Sequence, residues 1–226
     1  MGPSVIFSDL DGTLLDEAYS FDAARPALEA VRARGIALVF VTSKTAAETL
    51  RLQRLMSVDG PFVVEDGGGV YLRPDERIAL GAPYEEVRLA ARRLGVRGFG
   101  DMSVEEVARE TGLPIEVAAL AKRREFDEPF LAAPAGIEEA ARALGLRVTR
   151  GGRWWHLHGD TDKGRAVRLL KERLGPARTI GLGDSPLDEP MLAETDVRVR
   201  VKRGPAEWND RVLEFLSESR PGRRRP

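Results

Sequence analysis

A continuous apolar run, IALVFVTSK at residues 36–44, constrains the fold more than any other stretch of the chain. A strand with apolar residues on both faces is typical of parallel sheets that carry helices on either side. Another apolar run, residues 4–8, precedes it, and residues 22–35 between them have apolar positions at helical spacing. Residues 46–56 have helical spacing again, and strand-like residues follow in 61–72. This alternation predicts an α/β fold with parallel strands and right-handed crossovers.

The pattern changes between about residues 82 and 155, where strand–helix alternation gives way to helical segments. Residues 84–95, 103–112 and 113–126 have helical spacing, and RVTRGGRWWHLHG (147–159) indicates two strands around a Gly-Gly turn. From Lys163 the α/β pattern returns. We therefore predict a Rossmann-like parallel-sheet core and an inserted α+β domain. The predicted limits are 1–81 and 158–226 for the core and 82–157 for the insert, with a frayed tail SRPGRRRP (219–226).

The bulk composition excludes several classes of function. The 226 residues carry a net charge of −1, which gives no reason to expect nucleic acid or an anionic membrane as partner. The chain has no cysteine, so thiolate catalysis, disulfides and zinc–thiolate sites are excluded. No basic segment followed by an apolar run begins the chain, and no run approaches the roughly 18 apolar residues that span a bilayer. We expect a cytoplasmic protein; the sequence leaves its oligomeric state open.

Four polar motifs stand where predicted strands end or predicted helices begin. They are Asp9-Leu-Asp11-Gly-Thr13, Thr42-Ser43-Lys44, Asp162-Lys163-Gly164 and Gly183-Asp184-Ser185-Pro-Leu-Asp188. In an open parallel sheet, ligands bind outside the carboxyl ends of the strands, so we expect the four motifs to converge there. A single aspartate after a strand is usually a helix cap or a turn former. Four such motifs in this order favour one shared site.

The residue types in these motifs favour phosphoryl-transfer chemistry. Carboxylates such as Asp9 and Asp184 repel each other at one sheet edge unless a cation lies between them, and oxygen ligands suit Mg²⁺. Zinc is disfavoured, because His156 and His158 are the only histidines and lie far from Asp9 and Asp184 in the sequence. One aspartate can then attack phosphorus while another carboxyl transfers protons. A hydroxyl and an ammonium group can hold the phosphoryl oxygens.

These motifs, in this order, resemble the haloacid-dehalogenase superfamily of phosphohydrolases. The resemblance implies that Asp9 is the nucleophile and Asp11 the general acid and base. It implies that Mg²⁺ binds the Asp9 side chain, the Asp11 backbone carbonyl and Asp184. Thr42 and Lys163 would bind the phosphoryl group, and Asp188, with Ser185, would support the site. The insert resembles the C2-type cap of sugar-phosphate phosphatases, which covers the active site and reads the leaving group.

Longer stretches, including FVTSKTAAE, GFGDMSVEEVARETGLP and GGRWWHLHGDTDKGRAV, resemble the mannosyl-3-phosphoglycerate phosphatase family. The resemblance implies hydrolysis of a phosphorylated sugar-glycerate, a small molecule, to the osmolyte mannosylglycerate and phosphate, with glucosyl-3-phosphoglycerate as another possible substrate. A sucrose-phosphate type phosphatase, a phosphomutase and a non-catalytic phospho-aspartate switch are the alternatives. Asp66 departs from the Glu-Asn-Gly that the family usually has. Unlike asparagine, an ionised aspartate only accepts hydrogen bonds.

Candidates for binding the rest of the substrate come from the cap and from the loops after two strands. They are Arg123, Arg124 and Arg153 for anionic groups, Glu125 and Glu128 for sugar hydroxyls, and Ser43, Lys44, Glu65, Gly67 and Gly68 in the core. A solvated helix face is the alternative interpretation of the charged run 122–128. Of Trp154 and Trp155 at most one can face a sugar, because neighbouring strand residues point in opposite directions. For His156 and His158 we favour hydrogen bonding or exposure over metal binding.

Overall fold

The computed structural model describes residues 3–218, and the predicted tail 219–226 lies outside the described residues. Within residues 3–218 the chain forms ten β-strands, nine α-helices and three short 3-10 helices. The strands are β1 (Ser4–Ser8), β2 (Ala37–Val41), β3 (Phe62–Val64), β4 (Gly69–Arg73), β5 (Glu76–Ala79), β6 (Asp127–Phe130), β7 (Arg147–Gly151), β8 (Trp154–His158), β9 (Arg178–Gly183) and β10 (Val197–Arg200). The α-helices are α1 (Arg25–Ala33), α2 (Ala46–Met56), α3 (Tyr84–Arg93), α4 (Val104–Thr111), α5 (Ile115–Ala121), α6 (Ile137–Ala143), α7 (Lys163–Leu174), α8 (Glu189–Ala193) and α9 (Gly204–Glu218). The 3-10 helices are Asp22–Ala24, Glu65–Gly67 and Pro186–Asp188.

The larger sheet has seven strands in the order β10-β9-β1-β2-β3-β4-β5. Pairings from β10 to β3 are parallel, and β4 and β5 add an antiparallel hairpin at one edge. Alternate residues of the central strands enter two different cores. Ile6 and Phe40 pack with helices α1, α2 and α9, whereas Phe7 and Val39 pack with α7 and α8. Helices therefore cover both faces of the sheet, and the predicted α/β fold is confirmed.

The central strands end where the sequence motifs begin. Strand β2 stops at Val41, although the run 36–44 was predicted as one strand, and Thr42 follows it in a loop. Asp9 follows β1 directly, and Asp184 follows β9. Because β1, β2 and β9 are adjacent and parallel, these residues emerge at the same edge of the sheet.

A second sheet, of three antiparallel strands in the order β6-β8-β7, carries a separate apolar core. Leu157 and Phe130 pack there with helices α3 and α6. Strands β7 and β8 form the predicted hairpin around the Gly-Gly turn. The sheet lies between β5 and α7 in the sequence, as an inserted cap does in this fold class. The limits proposed above for the two domains stay a prediction.

The predicted helix over residues 113–126 is wrong in its second half. Helix α5 ends at Ala121, and the charged residues after it lead into strand β6. The sequence pattern missed β6 because Asp127 and Glu128 are charged and still fully buried. The Asp127 carboxylate is hydrogen-bonded to nearby Arg124 and to His156, and that of Glu128 to Tyr84, which makes the burial tolerable. The interpretation of this run as a solvated helix face is therefore also wrong.

No helix within residues 3–218 combines the length and the apolar character that a bilayer crossing requires.

Candidate active site

Asp9 lies at the centre of the sheet edge and is almost completely buried. Its backbone N–H donates to the carbonyl of Leu182 at 2.9 Å, which fixes the chain as it leaves β1. Lys163, the first residue of α7, donates from Nζ to Asp9 Oδ1 at 2.7 Å and to Asp188 Oδ1 at 2.7 Å. Burial raises the pKa of Asp9 well above its ordinary range, and the Lys163 charge opposes that rise.

Lys163 is itself deeply buried, and that burial by itself lowers its pKa. The neighbouring carboxylates of Asp9 and Asp188 outweigh the desolvation, so the pKa of Lys163 lies well above its usual value. Asp162 caps the helix that carries Lys163, because its side chain accepts from the Arg165 N–H at 2.8 Å. The site therefore places an ammonium group beside the predicted nucleophile.

A tight turn after Asp9 brings Asp184 next to the first motif. Gly12 in this turn has φ of +74°, and a β-carbon at this position would lie 2.5 Å from Asp184 Oδ2. Thr13 donates its hydroxyl to Asp184 Oδ1 at 3.3 Å. Glycine is required here both for the left-handed backbone and for the close approach of Asp184. The spacing Asp-x-Asp-Gly-Thr thus has a direct structural reason.

Asp188 holds the fourth motif together. Its Oδ2 accepts from the Asp184 N–H at 3.1 Å, and from the Ser185 N–H at 2.9 Å and hydroxyl at 3.0 Å, while Oδ1 accepts from Lys163. Burial alone would raise the pKa of Asp188, but Lys163 and these donors lower it. Both oxygens are thus occupied, so Asp188 fits a supporting role better than that of a metal ligand.

The carboxylates at this edge fit a divalent cation. Oxygens of Asp9, Asp184 and Asp188 lie within 4.8 Å of one another. Burial and the charge of Asp188 raise the pKa of Asp184, and Thr13 and the Lys163 charge only partly oppose this rise. The ligand atoms are oxygens only, as Mg²⁺ prefers. Asp9 and Asp184 are the side chains that would hold the ion; the Asp11 backbone carbonyl stays a predicted third ligand.

The second motif contributes Thr42 and Lys44. Thr42 is fully buried, and its hydroxyl accepts from the Lys44 N–H at 3.1 Å. Lys44 pairs through Nζ with Asp11 Oδ2 at 2.8 Å, which orients the predicted general acid. Burial lowers the pKa of Lys44, but Asp11 and Glu48 outweigh this effect and hold it above its usual value. Ser43 lies between them and accepts through its carbonyl from Arg124 at 3.0 Å.

The three predicted substrate residues after β3 connect the core to the cap strand. Glu65 is fully buried, and its carboxylate accepts from the backbone N–H groups of residues 125–127 at 2.7 to 3.1 Å. Gly67 packs against the backbone of Asp162, and Gly68 packs against Phe126. All three residues therefore have structural contacts that explain their presence, and substrate contact by them stays a prediction.

The cap candidates divide into two groups. Arg124 and Arg153 line a cleft that also contains Asp9, Asp11 and Lys163. Arg124 is buried and pairs with Asp127, whereas Arg153 donates to the Glu110 carbonyl at 3.1 Å and lies over the Trp154 ring.

The other three candidates are not among the residues that line this cleft. Arg123 is exposed. Glu125 contacts Tyr71 and Arg77, and Glu128 accepts from the Tyr84 hydroxyl and the Gly100 N–H. The structure does not bring these side chains to the site.

The cleft has a volume of about 420 Å³, which is in the range of small-molecule sites. Trp154 lines it, whereas Trp155 packs with the core of the three-stranded sheet. His156 and His158 both form hydrogen bonds, as favoured above: His156 Nδ1 with Asp127 Oδ2 at 2.7 Å, and His158 Nδ1 with the Gly159 carbonyl at 2.8 Å.

Sequence reasoning missed the roles of Thr13 and Asp127. Thr13 lies within the first motif, and its hydroxyl group indicates that it can form a hydrogen bond there. Asp127 gave no signal, since a buried acid in a charged run cannot be told from an exposed one.

Comparison with known proteins agrees with this geometry. A family profile described as haloacid dehalogenase-like hydrolase matches residues 6–82. A glucosyl-3-phosphoglycerate/mannosyl-3-phosphoglycerate phosphatase from Persephonella marina is 38% identical, over 96% of this chain and 99% of the relative. The chain belongs to the mannosyl-3-phosphoglycerate phosphatase family of haloacid dehalogenase-like hydrolases. It is thus a phosphoric monoester hydrolase.

More distant members of the family and of the fold are also similar. A mannosyl-3-phosphoglycerate phosphatase from Pyrococcus furiosus is 35% identical, over 85% of this chain and 88% of its own. A solved structure from Thermoplasma acidophilum superposes with a TM-score of 0.70 at 18% identity, covering 96% of this chain and 99% of that one. The structure of a haloacid-dehalogenase superfamily phosphatase from Bacteroides thetaiotaomicron superposes with a TM-score of 0.68 at 18% identity, covering 96% of this chain and 94% of that one. The structural likenesses support the fold with its cap.

Proposed function

We propose that the chain is an Mg²⁺-dependent phosphatase that hydrolyses mannosyl-3-phosphoglycerate and glucosyl-3-phosphoglycerate through an aspartyl-phosphate at Asp9. The observation that carries the proposal is the placement of Asp9 against Lys163 at 2.7 Å, with Asp184 and Asp11 in the same cleft. The names of the relatives supply the substrate class.

In the first step an Asp9 carboxylate oxygen attacks phosphorus and the ester P–O bond breaks. Asp11 donates a proton to the leaving sugar-glycerate oxygen, and Lys44 keeps its carboxyl oriented. Lys163 stabilises the negative charge that develops on the phosphoryl oxygens, and Thr42 stays the predicted hydroxyl ligand. Mg²⁺, when bound, supplies further positive charge beside the transferred group.

In the second step Asp11, now ionised, accepts a proton from a water molecule. The resulting nucleophile attacks phosphorus, the P–O bond to Asp9 breaks, and phosphate leaves. Asp9 returns as a carboxylate and Asp11 as an acid, so the protons balance over the cycle.

A panel of phosphate esters tests the proposal. The purified protein with Mg²⁺ is assayed for phosphate release from mannosyl-3-phosphoglycerate, glucosyl-3-phosphoglycerate, sucrose phosphate and simple hexose phosphates. We expect the two glycosyl-phosphoglycerates to have the highest kcat/KM. Equal values across the panel would contradict the substrate assignment, and a phosphorylated sugar formed in place of free phosphate would identify a mutase.

A further inference from the structure

Asp66 is a buried side chain whose hydrogen-bonding capacity is unused. Only 6% of the residue is exposed, and neither carboxylate oxygen has a hydrogen-bond partner within residues 3–218. Its nearest cation is Lys163, whose Nζ lies 3.6 Å from Oδ1, which is too far for a hydrogen bond. Buried polar groups are nearly always satisfied, because an unpaired one loses its hydration without compensation. Asp66 therefore lacks a donor that residues 3–218 could supply.

The backbone presents this side chain at a fixed place. Asp66 has φ of +53°, and its N–H donates to the Thr42 carbonyl at 3.1 Å. It lines the same cleft as Asp9, Lys163 and His156. Aspartate tolerates the left-handed region better than most residues, so the turn is maintained at modest cost.

His156 of strand β8 lies opposite, with Asp127 behind it. One ligand atom from each of Asp66, Asp127 and His156 lies within 4.8 Å of the others. Burial would raise the pKa of Asp127, but Arg124 and His156 lower it to about 2, so this carboxylate accepts. His156 must therefore donate from Nδ1 to Asp127, which leaves Nε2 as the ring nitrogen available to a ligand.

The local charges select a neutral donor over a metal ion. Arg124 already pairs with Asp127, and Lys163 lies beside Asp66, so two fixed positive charges adjoin the trio. Asp66 and Asp127 therefore present less uncompensated negative charge to a metal ion than two free carboxylates would. A hydroxyl group donates a hydrogen bond without charge, and two hydrogen bonds of about 2.7 Å span up to roughly 5.4 Å. The Asp66 carboxylate and a ring nitrogen of His156 lie within 4.8 Å of each other, so one hydroxyl group can donate its single hydrogen to Asp66 while its oxygen lies beside the His156 ring.

We propose that Asp66 and His156 form a subsite that binds a hydroxyl group of the substrate's hexose ring. The inference rests on the function proposed above. In a glycosyl-3-phosphoglycerate the glycerate carbons carry the carboxylate, the glycosidic oxygen and the phosphate, so every free hydroxyl belongs to the hexose. Asp66 accepts the hydrogen bond, and Asp127 acts as a positioning residue that fixes the His156 ring.

The subsite lies beside the chemistry, because Lys163 contacts Asp9 and adjoins Asp66. A bound hydroxyl therefore helps to align the phosphoryl group, and losing it affects kcat as well as KM.

Two variants separate sugar recognition from damage to Lys163. Asp66→Asn keeps the shape, and Asp66→Gly removes the side chain while tolerating the positive φ. The measured quantity is the ratio of kcat/KM for the glycosyl-phosphoglycerate to kcat/KM for phenyl phosphate, which has no hydroxyl. We expect the ratio to fall about tenfold to a hundredfold for Asp66→Gly and to stay within about twofold for Asp66→Asn, because the amide oxygen of asparagine, the residue that the family usually has here, still accepts a hydrogen bond. Asp75→Asn, in an exposed turn, is the matched control and should leave the ratio unchanged.

A constant ratio in both variants would overturn the subsite, because a disturbed Lys163 lowers kcat/KM for the two esters by the same factor. Monodeoxy-hexose substrates give a measurement on the unmodified protein. With the unmodified protein, one of the monodeoxy substrates should have a kcat/KM that is lower by about the factor seen for Asp66→Gly. The Asp66→Gly variant should hydrolyse that substrate and the parent substrate with the same kcat/KM. The inference is contradicted if Asp66→Gly loses as much kcat/KM as the unmodified protein does with every monodeoxy substrate.

Metal binding is the competing outcome, and Mn²⁺ titration followed by electron paramagnetic resonance decides it. We expect one ion per chain, in the unmodified protein and in His156→Gln. Two ions, of which His156→Gln loses one, would overturn the hydroxyl subsite. If the ester panel instead favours another sugar phosphate, the proposed function fails, and the Asp66 ratio is then measured with that ester.

Discussion

Lys163 Nζ lies 2.7 Å from Asp9 Oδ1, although 154 positions separate the two residues in the chain. Both side chains are buried at one edge of the seven-stranded sheet. Asp188 binds the same ammonium group at 2.7 Å, so one cation compensates two buried carboxylates. This arrangement makes the lysine important for stability as well as for chemistry.

Lys163→Met should therefore destabilise the protein and abolish most of its activity. Without the ammonium group two buried carboxylates lose their counter-charge, and the free energy of unfolding should fall by about 3 kcal/mol. Phosphate release should fall about 10³-fold. Urea unfolding and steady-state kinetics measure the two effects, with Lys202→Met, an exposed lysine, as control. Normal turnover in Lys163→Met would refute its phosphate-binding role.

Asp9→Asn and Asp11→Asn should differ in metal binding but not in turnover. Both should lower phosphate release about 10³-fold, since one removes the nucleophile and the other the proton donor. Mg²⁺ affinity, measured by isothermal titration calorimetry, should fall for Asp9→Asn and persist for Asp11→Asn, because Asp11 is predicted to bind through its backbone. The assigned roles fail if Asp11→Asn retains near-normal turnover.

Gly12→Ala should weaken Mg²⁺ binding by about tenfold, because the new β-carbon would lie 2.5 Å from Asp184 Oδ2 and displace it. Gly112→Ala is the matched control. It has nearly the same φ, +76° against +74°, and open space around its β-carbon. Both variants should lose about 1 kcal/mol of stability through backbone strain. Equal Mg²⁺ affinity in the two variants would show that the close approach of Gly12 to Asp184 does not affect metal binding.

Asp127→Asn should remove a pH-dependent part of the stability. Burial raises the pKa of Asp127, but Arg124 and His156 outweigh it and lower the pKa to about 2. A depressed pKa stabilises the folded state above the unfolded value near 3.9, and this contribution is lost as pH falls toward 2. We expect the variant to be less stable by about 2 kcal/mol at pH 6.

Urea unfolding at pH 6, 4 and 3 measures this difference between Asp127→Asn and the unmodified protein. The difference should shrink at the lower pH values, whereas Asp75→Asn should show no such trend. A difference that stays constant from pH 6 to pH 3 would mean that Asp127 is not held ionised by its partners.

Much of the core site follows from the sequence alone. The apolar runs fix where β1 and β2 lie, and the polar residues after them must emerge at the carboxyl edge because parallel strands share one direction. Asp9, Lys163 and Asp184 could be grouped before any coordinates, since each stands at the end of a strand or the start of a helix. Local patterns and chain direction are enough for these placements.

Only the tertiary structure decided the environment of the cap residues. Strand β6 carries Asp127 and Glu128 into the interior because His156 and Tyr84, from distant segments, hydrogen-bond to their carboxylates, and no local pattern reports these two contacts. The same reason separates Arg124, which reaches the cleft, from Glu128, which does not. Apolar periodicity specifies which face of an element is buried, whereas the pairing of buried charges depends on contacts between residues that are far apart in the chain.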